Sequence, residues 1–212
     1  MNKHRTLWIV LPLMLVSGML AAFAPLPAAA TTLTDAEADG LAFLREEEKL
    51  AHDLYRTLYD QYALPVFANI ARREGAHMEA MLTLLEAYGL SDPAQGMAAG
   101  KFTDPVLQSL YDDLLAQARQ SAGEAVRVAA LVEETDILDL RERLAPTTRP
   151  DIVRTYQNLL QASARHLRAF AMQVERQTGE EYLPALLSAS DYAELTGGAQ
   201  PGGPGGGGGR PW

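Results

Sequence analysis

Four long stretches of this chain carry apolar residues at steps of three and four, and almost nothing in it alternates with a period of two. Such steps place side chains on one face of a helix, so the stretches predict four amphipathic helices and no sheet. The first starts from a Thr34 cap with Glu37 three residues on, the spacing of a capping box, and runs to about Tyr62. The second opens on Pro65, whose fixed φ suits a first helical turn, and stops at Gly89. The third starts from Ser121, with Glu124 as its box partner, and ends before Pro146; the fourth runs from Pro150 to about Thr178. A shorter helix opened by Asp104 and Pro105 ends near Arg119, and a segment from Tyr182 to Leu195 is expected to pack on the outside. Link lengths then set the topology. Short links make the first and second helices antiparallel, and likewise the third and fourth. The link from Leu90 to Ser121 is long enough to travel the length of a bundle. The expectation is an all-α fold, a four-helix bundle of two antiparallel hairpins joined by one long crossover containing a short helix.

Every long helix interrupts its apolar seam with a residue that does not belong in a core. In the second, Glu74 and His77 share a face with Phe67, Ile70, Met81 and Leu85. In the first, Glu48 falls among Leu41, Leu44, Ala51, Tyr55 and Leu58; Glu47 is a rival for the position, and Glu46 is expected to face solvent. In the third, Glu133 falls among Val126, Ala130, Ile137 and Leu140, with Asp136 three residues on and Glu134 as the alternative if the phase shifts by one. In the fourth, His166 falls among Tyr156, Leu159, Phe170 and Val174, with Ser163 one turn before it.

A single seam histidine is commonly a hydrogen-bonded core residue, and a single glutamate can reach water from the edge of a stripe. Interruptions near the middle of all four helices are a different matter. A buried carboxylate is costly unless it is paired or binds a metal, and the seams contain no lysine or arginine. Divalent cations would supply the missing charge. Oxygen and imidazole ligands without thiolate suit iron or manganese, with zinc as a further option. The chain has no cysteine, which excludes disulfides and thiolate metal sites.

The ends read differently. Lys3 and Arg5, an apolar stretch from Leu7 to Phe23, and Ala28-Ala29-Ala30 predict a signal peptide over residues 1–30, cleaved near Ala30 rather than kept as an anchor. Residues 31–196 form the folded domain on this reading, and the Gly-rich run 197–212 is a disordered tail. The expected location is therefore secreted or periplasmic, with no stable membrane span after cleavage. The formal charge of −9, from 18 basic and 27 acidic residues, argues against nucleic acid as a partner, because phosphate binding needs a basic face.

The stretches REEEKLAHDLY, LPVFANIARREGAHMEAMLTLLEAYGL and YQNLLQASARHLRAF resemble the DUF2202 proteins, a bacterial family of unknown function assigned to the ferritin-like fold. This resemblance spans about Leu41 to Tyr182. More widely, the pattern resembles the ferritin-like di-iron carboxylate proteins of the rubrerythrin and ferritin branches, built on Glu and Glu-x-x-His elements from four helices. The resemblance implies Glu48, Glu74, His77, Glu133, Asp136 and His166 as metal ligands, with Glu74 bridging. It favours Glu48 over Glu47, because Ala51 and Tyr55 follow Glu48 at the family's spacing. It gives Tyr55 a hydrogen bond to a ligand or a part in electron transfer. Ser163 departs from the pattern, standing where a glutamate is expected, which implies either two irons or one tight and one weak site. His52, one turn from Glu48, is off the seam and expected at the surface. The implied activity is redox: oxidation of Fe(II) by O2 or peroxide, or peroxide reduction, with a homodimer among the assemblies it allows. Metal sequestration without turnover, or a structural bundle with a hydrogen-bonded polar network and no metal, are the alternatives.

Overall fold

The computed structural model describes residues 32–197, so the expected leader and the Gly-rich run beyond Gly197 lie outside the described residues. Six helices and no strand occur among them: α1 Asp35–Tyr62, α2 Pro65–Ala87, α3 Pro105–Ala118, α4 Ala122–Leu144, α5 Pro150–Thr178 and α6 Ala189–Thr196. Their boundaries follow local chemistry. Thr34 caps α1 in a complete capping box with Glu37, and Asp104 caps α3 by accepting from the N–H groups of Val106 and Leu107. Ser121 caps α4 through the Glu124 N–H, but the Glu124 carboxylate reaches Gln117 instead of closing a box. Gly179 ends α5 in the left-handed conformation, at φ 76°, which glycine adopts without steric cost.

α1 packs along α2 and α4 along α5, and the two pairs meet through α1 against α4 and α2 against α5. The apolar clusters give the directions. Leu41 and Leu44 from the start of α1 share a cluster with Met81 and Leu85 from the end of α2, Leu140 from the end of α4, and Ile152 and Tyr156 from the start of α5. At the other end, Leu54 and Leu58 lie with Phe67 and Ile70, Val126 and Ala129, and Phe170 and Val174. Each neighbouring pair is therefore antiparallel. The link after α2 starts beside the first cluster at Leu90 and finishes at the second, where the Tyr62 hydroxyl donates to the Ala118 carbonyl. It runs the length of α1. Between the two clusters, the middle of the helices carries the polar residues described below.

The link alters one expectation. Glu46 is buried, not solvent-facing, because its carboxylate accepts from the backbone N–H groups of Thr103 and Asp104. Arg45 and Lys49 are buried on the same side of α1, where Arg45 pairs with Asp92, and Lys49 with Asp53 and the carbonyls of Ala98 and Lys101. These cations are consumed by the link and do not reach the seam. The C-terminal segment is not confined to the outside: Tyr182 and Leu187 enter the core, while Leu183 and Leu186 stay exposed. No helix among the described residues is long and apolar enough to cross a membrane.

Candidate metal centre

Mid-length, the four long helices turn Glu48, Glu74, Glu133 and His166 inward with no more than 4 % of each residue exposed, and His77 lies half-buried at the edge. Helical pitch explains the pairing of Glu74 with His77: three residues apart, they lie on the same face, and the His77 Nδ1 is 2.7 Å from Glu74 Oε2. The same Nδ1 is 3.1 Å from Glu48 Oε2 across the α1–α2 contact. On the other side, His166 Nδ1 of α5 lies 2.8 Å from Glu74 Oε1 and 3.6 Å from Glu133 Oε2 of α4. The result is two triads, Glu48–Glu74–His77 and Glu74–Glu133–His166, each able to offer three ligand atoms within 4.8 Å of one another. Glu74 belongs to both, one oxygen to each. The two imidazole rings face each other with centroids 5.7 Å apart.

Several of these atoms lack hydrogen-bond partners. Glu48 Oε1, Glu74 Oε1, Asp136 Oδ1 and His166 Nδ1 are all buried and unpartnered. Glu74 Oε1 and His166 Nδ1 are close, yet they lack the alignment of a hydrogen bond. Buried polar atoms are normally satisfied, so four orphans, one from each long helix, set this region apart.

The electrostatics tell the same story. Burial works against a charge on His77, but Glu48 and Glu74 outweigh it and push its pKa up to about 11. His166, also desolvated, is pushed up to about 10 by Glu133 and Glu74. Burial would raise Glu74, but the contacts with His166 and His77 bring it down to about 2. Glu48 is held well above the usual carboxylate range by burial and then by Asp136, and Glu133 is raised by burial and by Glu74. Glu48, Glu133 and both imidazoles therefore favour their protonated forms, and Glu74 its carboxylate.

The remaining predicted residues surround the triads. Tyr55 donates to Glu133 Oε1 at 2.7 Å and stacks obliquely on Phe170, 5.0 Å between ring centroids, in an aromatic floor that includes Phe67. Asp136 is not in either triad. The Ser163 hydroxyl bonds its Oδ2, and burial, followed by repulsion from Glu133, raises its pKa to about 7. Ser163, where the resemblance implied a glutamate, thus anchors a carboxylate from the facing helix. Glu47 is buried but outside both triads. His52 is half-buried and bonded to Asp53.

Glu134 and Glu133 separate clearly. Glu134 points away from the triads and accepts from the Tyr182 hydroxyl and from the N–H groups of Ala185, Leu186 and Leu187, tying down the C-terminal segment. Sequence periodicity signals that both glutamates are near the seam, but nothing local announces the four donors, which come from a segment about fifty residues away.

The sequence profile of DUF2202, an uncharacterized protein domain, matches residues 37–199. The chain belongs to the DUF2202 family. It is 38 % identical over 163 residues to the uncharacterized protein MJ0754 of Methanocaldococcus jannaschii, covering 77 % of this chain and 88 % of that protein. The crystal structure of that hypothetical protein resembles this DUF2202 chain with a TM-score of 0.76 at 37 % identity, over 80 % of this chain and 96 % of the other. All six residues proposed as ligands, and Tyr55, lie within the span that the DUF2202 profile matches.

Proposed function

We propose that this DUF2202 protein is a ferritin-like four-helix bundle that binds two divalent metal ions, iron before manganese or zinc, and supports ferroxidase- or peroxidase-like redox chemistry. The observation that carries the reading is the shared Glu74. It links two three-ligand groups, buried except at His77, whose unpartnered atoms include Glu48 Oε1, Glu74 Oε1 and His166 Nδ1. The donor set fits iron: oxygen and imidazole ligands, no thiolate, and acids in excess of bases. Glu48, Glu74 and His77 would hold one ion, and Glu74, Glu133 and His166 the other.

Bound iron would supply one-electron redox chemistry with O2 or peroxide. The chain's own residues would prepare the site for it. Tyr55 orients Glu133 by donating to one of its oxygens, leaving the other toward His166. Ser163 holds Asp136 beside the second group, where its free oxygen could join the ligands. The aromatic floor of Tyr55, Phe67 and Phe170 excludes water from one side. The half-buried edge of His77 leaves the first group nearer to solvent. On this reading the protein works outside the cytoplasm after loss of residues 1–30.

Anaerobic titration with Fe(II), followed by exposure to O2 in a stopped-flow spectrometer, tests the proposal. The expected result is about two ions per chain, then rapid O2-dependent oxidation. Binding without oxidation would reduce the function to sequestration. Background metal content, with a melting temperature unmoved by Fe, Mn or Zn, would leave a polar network with no metal role.

A further inference from the structure

The α2–α5 face carries a feature of the opposite sign to the rest of the molecule. A groove of about 660 Å³ runs between the start of α2 and the second half of α5, with Pro65 and Val66 at one end and Arg73, Arg165 and Arg176 along its walls. No carboxylate lines it, although the chain has 27 acidic residues against 18 basic ones. All three arginines are exposed, and among the described residues none makes an ion pair or side-chain hydrogen bond. They are spaced to share the groove: Arg73 follows Asn69 by one turn on α2, and Arg165, Ala169, Gln173 and Arg176 follow one another on α5 at steps of four, four and three.

Two further features converge there. The N-cap of α2 is Leu64, which offers no side-chain acceptor, and the first turn has no acidic residue. Pro65 has no N–H and the Phe67 N–H donates to the Leu64 carbonyl, so this 23-residue helix offers an external anion the Val66 N–H and its positive dipole end. His166 also lines the groove, with its Nδ1 turned inward, 2.8 Å from Glu74 Oε1.

We infer that this groove binds a small multivalent oxyanion, an oligocarboxylate or a phosphate, through Arg73, Arg165, Arg176 and the uncapped start of α2. Guanidinium groups match such ligands because they donate two parallel hydrogen bonds to a carboxylate or phosphate. The volume suits an anion of several carboxylates rather than a macromolecule. The inference does not depend on a metal at the triads. It does place the anion's site on the face of α5 whose inner side holds His166, so an anionic chelate bound there would sit at the edge of the second group.

The test is isothermal titration of the metal-free full-length protein with tricarballylate and, separately, with inorganic phosphate, at low and high salt. The expected result is saturable binding of at least one anion, weakened by added salt. Phosphate alone or tricarballylate alone identifies the source and supports the inference. Replacing Arg73→Gln or Arg165→Gln should weaken binding by about tenfold each, while Arg127→Gln, on a different face, should not. Amide shifts on titration should concentrate at Val66–Arg73 and Arg165–Arg176. Glu74→Ala should keep the anion affinity while losing metal, which separates this inference from the metal proposal. Absence of binding by both anions, or unchanged binding in the Arg73→Gln/Arg165→Gln double variant, overturns it. These arginines are exposed and unpaired, so their replacement leaves the packing intact.

Discussion

Glu74→Ala is the substitution that bears hardest on the metal reading. Its two oxygens serve different groups, Oε2 at 2.7 Å from His77 and Oε1 at 2.8 Å from His166. Alanine therefore strips both triads at once, leaving Glu48 with His77 and Glu133 with His166. Loss of a residue that merely orients a ligand typically costs about 10–100-fold in metal affinity. Loss of a direct ligand from both groups should cost at least about a hundredfold at each. The cleanest readout is thermal unfolding with and without metal. At a free metal concentration about a hundred times Kd, binding stabilises the folded state by about 2.7 kcal/mol. For a domain of this size each kcal/mol moves Tm by about 2–4 °C, so the wild type should gain about 5–10 °C on loading. Glu74→Ala should gain almost nothing under the same conditions, and elemental analysis should find it metal-free. Metal content and Tm shift equal to the wild type would refute the sharing of Glu74 and, with it, the two-site proposal. His166→Ala provides the contrast: it should empty one group and leave the other.

Four further outcomes are expected. Metal affinity should rise with pH between about 5 and 8 and binding should release protons, because Asp136 titrates near 7 and Glu48 and Glu133 are also raised. In the metal-free protein the same groups, together with His77 and His166, bind more protons folded than unfolded. Their stabilisation is therefore present at low pH and is lost as pH rises through Asp136 near 7 and then through the histidines near 10 and 11, which denaturant melts at a series of pH values would detect. Glu134→Ala should destabilise the fold by about 3 kcal/mol or more, since it orphans several donors, and amide exchange should accelerate first at Ala185–Leu187; unchanged exchange there would reject its anchoring role. Glu37 has its pKa lowered to about 2, chiefly by Thr147 and the Thr34 cap, so its contribution is complete above pH 4.5 and lost as pH falls toward 2; Glu37→Gln should cost about 1 kcal/mol at neutral pH and flatten that acid limb.

The course of α1, α2, α4 and α5 was legible because each boundary is written in a few adjacent residues: Thr34 with Glu37, Pro65, Ser121, Pro150 and Gly179. Helical periodicity then set which face is apolar, and the polar residues that broke it were the ones that met. Glu74 with His77 could be read from spacing alone, since three residues bring two side chains to one face. Its meeting with His166 could only be expected from the joint pattern in the other helices.

What the chain's linear order determined was therefore local: where helices start, which face they bury, and which polar residues lie on it. Tertiary packing decided the rest. It turned Glu133 inward and gave Glu134 to Tyr182 and three backbone N–H groups, although the two are adjacent. It buried Glu46 under the link and let Ser163 hold Asp136 outside both triads. Neighbours in sequence differ by about a hundred degrees around a helix, so a small rotation exchanges their roles, and only the partners supplied by distant segments select one rotation. The groove on α2 and α5 belongs to the same class: Arg73 and Arg165 lie far apart in the chain, and only the packing of two helices brings them to one groove.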